Sequence, residues 1–208
     1  MPQQVKVGLV VLGILATGAA GALGWLGYQS FQTGFSAKAE PTVLEIAMAR
    51  YVRHLAIPYA QRNAPNPVPA GPAVLADGLK HFADHCATCH GNDGSGDTPI
   101  GRNVYPKAPD LRKADTQSLS DGELFFVIHN GIRFTGMPAW GKGKPEDDLD
   151  SWKLVHVIRH LPKITSDELE EMKRYNPKTE REREEEAAFE RFLSGEDVGI
   201  PPPPAHKH

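Results

Sequence analysis

The sequence predicts an all-α protein in which a helical domain follows a membrane-spanning helix. Three observations support this prediction. Residues 7–26 form an uncharged apolar stretch near the amino terminus, and later segments repeat apolar residues three and four positions apart. No segment alternates apolar and polar residues as a half-buried strand does. The 208 residues have room for one domain of ordinary size with extensions, and we divide them into units 1–37, 38–72, 73–163 and 164–208.

The first unit, 1–37, is predicted to be a short cytoplasmic stub and a transmembrane signal-anchor. Twenty residues at about 1.5 Å each span roughly 30 Å, the thickness of a bilayer's hydrocarbon core. Trp25, Tyr28 and Phe31 follow at the far end, where aromatic rings favour the membrane interface. A cleaved signal peptide, cut near Thr17–Ala19, is the alternative. Either reading places the rest of the chain outside the cytoplasm, in the periplasm or an equivalent space.

The second unit, 38–72, combines a short amphipathic helix over 42–60 with a proline-rich segment, 63–72. Apolar residues at helical spacing form a stripe on that helix: Leu44, Met48, Tyr51 and Leu55. The stripe is expected either to pack on the main domain or to lie along the membrane. Four prolines in ten residues predict an extended, semi-rigid spacer.

The third unit, 73–163, alternates short helices with polar loops. Helices are predicted over 73–85, after the capping-box pattern Ser120–Glu123, and over 149–161. The fourth unit, 164–208, is predicted to be a charged helical extension, opening at Thr165 and again at Thr179, with a disordered proline-rich tail at 200–208.

Charge argues against a nucleic-acid partner. Residues 38–164 carry 15 basic and 14 acidic side chains, and residues 165–208 carry 7 and 12. Neither part contains the basic stripe that binds phosphate backbones.

The segment Cys86-Ala-Thr-Cys89-His90 carries the chemistry. C-x-x-C-H is the attachment pattern of c-type heme, because two thiols so spaced add to the two vinyl groups and hold the histidine under the iron. A redox C-x-x-C needs no trailing histidine and sits in an α/β fold, and a zinc site needs further ligands at defined offsets. The motif lies behind an export segment, and heme is attached outside the cytoplasm. The sequence therefore predicts one covalent heme c.

On this motif and its surroundings the chain resembles the class I c-type cytochromes, in their membrane-anchored bacterial monoheme form. Gly78 and Phe82 resemble the glycine and aromatic of that family's first helix, and residues 152–161 resemble its last. Pro109-Asp-Leu is similar to the loop whose proline carbonyl accepts the Nδ1–H of the ligand histidine. Pro106 is an alternative to Pro109, because the loop after the motif is longer than small members of the family need.

The resemblance implies that His90 and Met137 are the axial iron ligands. Met137 stands in Gly-Met-Pro on a loop before the last helix, where the family places its methionine, whereas most methionines are core side chains. Five other histidines lie in the domain and are expected to be surface or packing residues: His81, His85, His129, His156 and His160. Arg102, Tyr105 and Trp140 are further candidates for heme contacts.

An iron with both axial positions filled has no site for a substrate, so the resemblance implies an electron carrier and no enzyme. The expected role is transfer of single electrons at the outer face of the cytoplasmic membrane, between respiratory complexes such as a quinol-oxidising complex and a terminal oxidase or dehydrogenase. The alternatives are a fixed subunit of such a complex and, with an open iron site, a heme peroxidase or gas sensor.

Overall fold

The computed structural model describes residues 2–34 and 36–194. Met1 and the predicted disordered tail, 200–208, lie outside them. Every regular element in these two ranges is helical, which confirms the all-α prediction. The α-helices are α1 (Gln3–Thr33), α2 (Val43–Ala56), α3 (Tyr59–Arg62), α4 (Pro72–His81), α5 (Ala87–His90), α6 (Ala114–Gln117), α7 (Asp121–Asn130), α8 (Leu149–His160), α9 (Ser166–Lys173) and α10 (Glu180–Leu193). A π turn covers Phe82–Cys86, and 3₁₀ turns cover Pro145–Asp147 and Leu161–Lys163.

Helix α1 is long and apolar enough to cross a membrane. Its candidate span, Gln3–Gln29, has a mean hydropathy of 2.0, and no part of it is buried against the rest of the protein. An apolar helix without a protein partner has to bury its surface elsewhere, and a bilayer of matching thickness does this. α1 is therefore a candidate membrane anchor.

The core of the domain forms where α4 crosses α8. The crossing is close because Gly78 has no side chain: a Cβ atom there would lie 2.7 Å from Val157 Cγ2 and 3.1 Å from the Lys153 carbonyl oxygen. Phe82 and Val155 are completely buried beside this crossing. The predicted close approach of the first and last helices of the domain is therefore present in the structure.

Helix α7 begins where its capping box predicts. The Ser120 hydroxyl accepts from Glu123 N at 3.1 Å, and the Glu123 carboxylate accepts from Ser120 N at 2.9 Å, so two backbone donors at the helix start are paired. The helix packs on α8 through Phe125 and Trp152, whose rings stack at 4.1 Å. Residue 131 is a glycine with φ +65°, a left-handed conformation that ends the helix.

The proline-rich segment is extended, as predicted, and it packs along α8. The Asn66 side chain donates to the Trp152 carbonyl at 3.0 Å, and His156 Nε2 lies 2.8 Å from the Val68 carbonyl oxygen. Val68 is buried in the main core. An extended proline-rich backbone makes no hydrogen bonds within itself, so its polar groups are free to pair with a neighbouring helix. In this structure it is a strap on the domain and does not hold the domain at a distance.

The carboxyl-terminal extension also joins the core. Met172 on α9 is 1% exposed, and Asn176 exchanges two hydrogen bonds with Asn92, at 2.8 and 2.9 Å, while also donating to the Ala83 carbonyl. By contrast α10 has no buried residue, and Phe189 and Phe192 on it are exposed. The extension therefore has a packed part through Asn176 and a solvated helix beyond it.

Helix α2 points its apolar stripe outward. It ends at Ala56, since Pro58 favours extended backbone at Ile57, where φ is −82° and ψ is 119°. A separate turn, α3, follows. Of the two expectations for the stripe, packing on the main domain is not what the structure shows, because all four stripe residues are exposed.

Candidate functional site

The Cys-Ala-Thr-Cys-His segment forms one helical passage at the end of the domain's first helix. Cys86 closes the π turn, and Cys89 and His90 lie in α5, so the two thiols share a helix face at a spacing of three residues. Neither cysteine is in a disulfide. π turns within helices occur frequently at functional sites. The backbone thus presents both sulfurs and the histidine from a single rigid turn.

Burial perturbs the polar groups of this motif. It raises the pKa of the Cys86 thiol to about 12, with a smaller contribution from the neighbouring Cys89, so Cys86 is a neutral thiol at physiological pH. Burial lowers the pKa of His90, and the carbonyl of Pro109 works in the opposite direction. His90 is therefore a neutral imidazole, the form that binds metals.

Pro109, and not Pro106, is the proline whose backbone carbonyl acts on the His90 ring. His90 Nδ1 is buried and lacks a partner at full hydrogen-bond geometry, so the carbonyl is a neighbour that does not complete the bond. His90 Nε2 makes no hydrogen bond within the two described ranges. The nitrogen expected to bind iron is thus free.

Glycines fold the loop that follows the motif back onto the motif, a role that was not predicted from the sequence. Gly96 has φ +74° and donates to the His90 carbonyl at 2.8 Å, and a Cβ atom there would lie 2.3 Å from the Ala108 carbonyl oxygen. The close contact brings Pro109 next to His90. Gly91, Gly94 and Gly96 all have positive φ, and their close spacing in the sequence was the available signal.

Met137 lies half-buried on a loop that closes on the end of α7. Its amide donates to Thr135 Oγ1 at 3.1 Å and its carbonyl accepts from Ile132 N at 3.1 Å. Gly136 meets the loop that follows the heme motif: a Cβ atom on it would lie 3.0 Å from Val104 Cγ1. The loop carrying Met137 and the loop carrying Pro109 are therefore in contact.

A buried histidine–aspartate pair fixes both ends of the methionine loop. His129, the penultimate residue of α7, places Nδ1 2.6 Å from Asp148 Oδ2, and Asp148 caps α8 through Ser151 N at 3.1 Å. The returning loop passes directly over this pair, since Trp140 N donates to the Ile128 carbonyl and Gly141 N to the His129 carbonyl. These residues were not predicted as part of the site. No short sequence motif predicts these residues, because only folding brings them together.

Three further predicted contacts have mixed support. The Trp140 ring meets the His85 ring edge-on at 5.0 Å, which places it beside the helix that leads into Cys86. Arg102 pairs with Asp97, and the Tyr105 hydroxyl lies 3.2 Å from Glu45 Oε1 on α2. Neither of these last two arrangements adds support for a heme contact.

Three of the competing histidines are engaged elsewhere. His129 pairs with Asp148, His156 with the Val68 carbonyl, and His160 with Glu168 at 2.9 Å. The rings of His81 and His85 meet edge-on at 4.7 Å on the helix before the motif. This agrees with the expectation that these histidines have packing or surface roles.

The donor set fits a c-type heme. Two free thiols and a neutral imidazole with an unbonded Nε2 share one turn. The thioether sulfur of Met137 belongs to a second loop, which contacts the loop that follows this turn. The assignment of a heme site rests on these donor side chains and not on a cavity. Two cavities of about 320 and 300 Å³ lie beside α9 and behind the motif, and Cys86, His90 and Met137 line neither of them.

Comparisons with known proteins match the part of the chain that contains this site. Residues 73–158 match the family described as cytochrome c oxidase, cbb3-type, subunit III. The cbb3-type cytochrome c oxidase subunit CcoP of Cereibacter sphaeroides is 33% identical over 79 residues, 38% of this chain and 25% of that protein. Thiosulfate dehydrogenase of Stutzerimonas stutzeri is 34% identical over 97 residues, 46% of this chain and 29% of that protein. The chain therefore spans less than a third of the length of these relatives.

Proposed function

We propose that the protein is a membrane-tethered c-type cytochrome that carries one covalent heme and transfers electrons. The match of residues 73–158 to a cytochrome c oxidase subunit family supports this proposal. Cys86 and Cys89 form the thioether links, His90 and Met137 bind the iron, and Pro109 orients His90. The observation that carries this proposal is the single turn that presents two free thiols and a neutral imidazole whose Nε2 is unbonded.

The heme, when bound, supplies reversible one-electron chemistry between ferric and ferrous iron. The chain sets the conditions for it. The Pro109 carbonyl would favour the His90 tautomer that leaves Nε2 available by accepting the Nδ1–H. A thioether from Met137 would favour ferrous iron more than a second imidazole does, so it would raise the reduction potential. With His90 and Met137 both binding the iron, the group would supply electron transfer and no binding site for a substrate.

We place the heme domain on the outer face of the cytoplasmic membrane, with α1 crossing it once. The length and hydropathy of α1 support an anchor. Lys6 alone precedes the apolar stretch and favours an amino terminus inside. In this position the domain exchanges electrons between a quinol-oxidising complex and a terminal oxidase or dehydrogenase.

Two alternatives have specific support. The match to CcoP, an oxidase subunit, favours a fixed cytochrome subunit of a larger complex. The match to a thiosulfate dehydrogenase favours an enzymatic role, and a simple test distinguishes an enzyme from a pure electron carrier. If thiosulfate reduces the ferric protein without any other protein, and oxidation of thiosulfate continues when a soluble one-electron acceptor reoxidises the heme, the protein is an enzyme. A carrier is reduced only when a donor protein is added. A peroxidase or gas sensor would need a high-spin, open iron.

The proposal is tested by expressing the full chain in a cell competent for cytochrome maturation. We expect a low-spin spectrum with the weak red-edge ferric band of sulfur ligation, and a mass that includes one heme and the α1 residues. His90→Ala should abolish the low-spin spectrum, while the matched variant His160→Ala should keep it. A colourless protein with two free thiols, or a high-spin spectrum in the unaltered chain, would contradict the assignment.

A further inference from the structure

The apolar stripe of α2 has no partner in the described parts of the chain. Leu44 is 47% exposed, Met48 57%, Tyr51 66% and Leu55 61%. At 100° per residue these four side chains fall within about 60° of one another on the helix surface. A continuous apolar strip of this kind is costly in water, so it requires a cover.

The opposite side of α2 holds the cytochrome domain through polar contacts. Glu45 accepts from the Tyr105 hydroxyl, Arg50 pairs with Asp115, and His54 Nδ1 lies 3.2 Å from Glu123 Oε1. These three residues lie about 90° to 130° around the helix from the centre of the stripe, Glu45 on one side of it and Arg50 and His54 on the other. The contacts fix the direction of the stripe, which points away from the domain.

The attachment of α2 shortens the tether between the membrane and the domain. α1 ends at Thr33, and Glu40 already pairs with Lys107 of the domain. Only residues 34–39 remain between them, and Ala39 N bonds back to the Ser36 carbonyl at 3.0 Å in a turn. Even fully extended, six residues reach only about 20 Å. If α1 spans the bilayer, α2 begins beside its surface.

We propose that α2 lies on the outer surface of the bilayer with its stripe in the boundary between headgroups and acyl chains. This inference rests on the proposed anchoring by α1. An amphipathic helix in the interface buries its apolar face in this way, and a tyrosine ring is suited to that depth. The helix thus joins the domain, through its polar face, to the lipid, through its apolar face.

Docking by α2 restricts how the heme domain meets its partners. The proline-rich segment and α2 are packed on the domain and cannot act as a long tether, so the domain keeps one orientation on the membrane. The surface formed by Tyr105, Asp115 and Glu123 faces the bilayer side, and partners approach from the other faces.

The test compares neighbouring positions on opposite sides of α2 in the full heme-loaded chain. Met48→Cys and Ala49→Cys are each labelled with an environment-sensitive fluorophore after reconstitution into vesicles of phosphatidylcholine and phosphatidylglycerol. Both side chains are exposed, and only residue 48 is on the stripe. We expect a lipid-borne doxyl quencher to reduce emission several-fold more at position 48 than at 49. Leu55→Cys and Ala56→Cys repeat the comparison in case one substitution impairs folding.

The outcomes separate the two proposals. Equal quenching on both sides of the helix overturns the docking of α2, and so does a label at 48 that is shielded from water without being quenched by lipid, since a protein then covers the stripe. Either result leaves the anchor intact if the chain resists extraction by carbonate. Extraction by carbonate, or a mature mass lacking the α1 residues, overturns the anchor and the inference together.

Discussion

His129 Nδ1 lies 2.6 Å from Asp148 Oδ2, and both side chains are buried. The pair joins the end of α7 to the start of α8, and therefore closes the loop that carries Met137. Gly141 is fitted to it, because a Cβ atom there would lie only 2.0 Å from His129 Nδ1. The position of Met137 thus depends on a histidine–aspartate hydrogen bond between residues that are not predicted iron ligands.

Replacing Asp148 by alanine should destabilise the domain by about 2–4 kcal/mol. The change removes the cap of α8 and leaves the buried His129 ring and Ser151 hydroxyl without their acceptor. Denaturant unfolding of the heme-loaded protein measures the loss. Asp147→Ala, in the exposed neighbouring position, is the control and should change stability by less than about 0.5 kcal/mol. Equal effects of the two substitutions would show that the buried pair contributes nothing.

The stability of the protein should fall in acid partly through Asp148. Burial acts to raise the pKa of this carboxyl, but the hydrogen bonds from Ser151 and His129 outweigh it, so the pKa lies below its ordinary value. A lowered folded pKa contributes stability that is complete above the unfolded pKa, about 3.9, and is lost as pH falls through the folded pKa. Unfolding free energies measured from pH 6 to pH 2.5 should therefore decline less for Asp148→Asn than for the unaltered protein. Parallel declines would contradict this assignment.

Gly78→Ala should cost about 1–3 kcal/mol, because the added Cβ collides with Val157 and the Lys153 carbonyl where α4 crosses α8. Thermal unfolding checks the loss. Ala76→Ser, on the exposed side of the same helix, should have little effect. If the Gly78→Ala protein were as stable as the unaltered protein and had the same spectrum, α4 and α8 could move apart to fit the Cβ without a loss of stability.

Met137→Leu should abolish the sulfur-ligation band and lower the reduction potential, because the thioether that favours ferrous iron is lost. Met172→Leu is the matched control: this side chain is 1% exposed in the core, so the substitution should change stability slightly and leave the band intact. Redox titration with absorption spectroscopy measures both. Retention of the band in Met137→Leu would show that another group binds the iron.

We propose that the folded domain extends through Asn176, beyond the boundary at residue 163 expected from the sequence. A chain ending at Lys163 should lose about 3 kcal/mol or more, since it exposes the site filled by Met172 and breaks the Asn92–Asn176 bonds. A chain ending at Pro177 keeps both and should unfold like the full protein. Equal stability of the two shortened chains would restore the original boundary.

Local patterns determined much of this protein from the sequence alone. The helical class followed from the spacing of apolar residues, and helix starts followed from capping boxes, which involve neighbours three residues apart. The heme motif was readable because its chemistry is contained in five consecutive residues. The likeness to a cytochrome domain over residues 73–158 agrees with that reading.

Tertiary structure decided which segments belong to the domain. The proline-rich segment and α9 were assigned to a spacer and an extension, yet both contact the domain. The sequence also did not show that α2 meets the domain through its polar residues. The contact between His129 and Asp148 could not be predicted from the sequence either. Contacts of this kind join residues far apart in the chain, and their free energy comes from burial and desolvation that only a folded arrangement creates. The spacing of residues in the sequence predicts the local structure of a segment, whereas its contacts with distant segments are determined only by the folded structure.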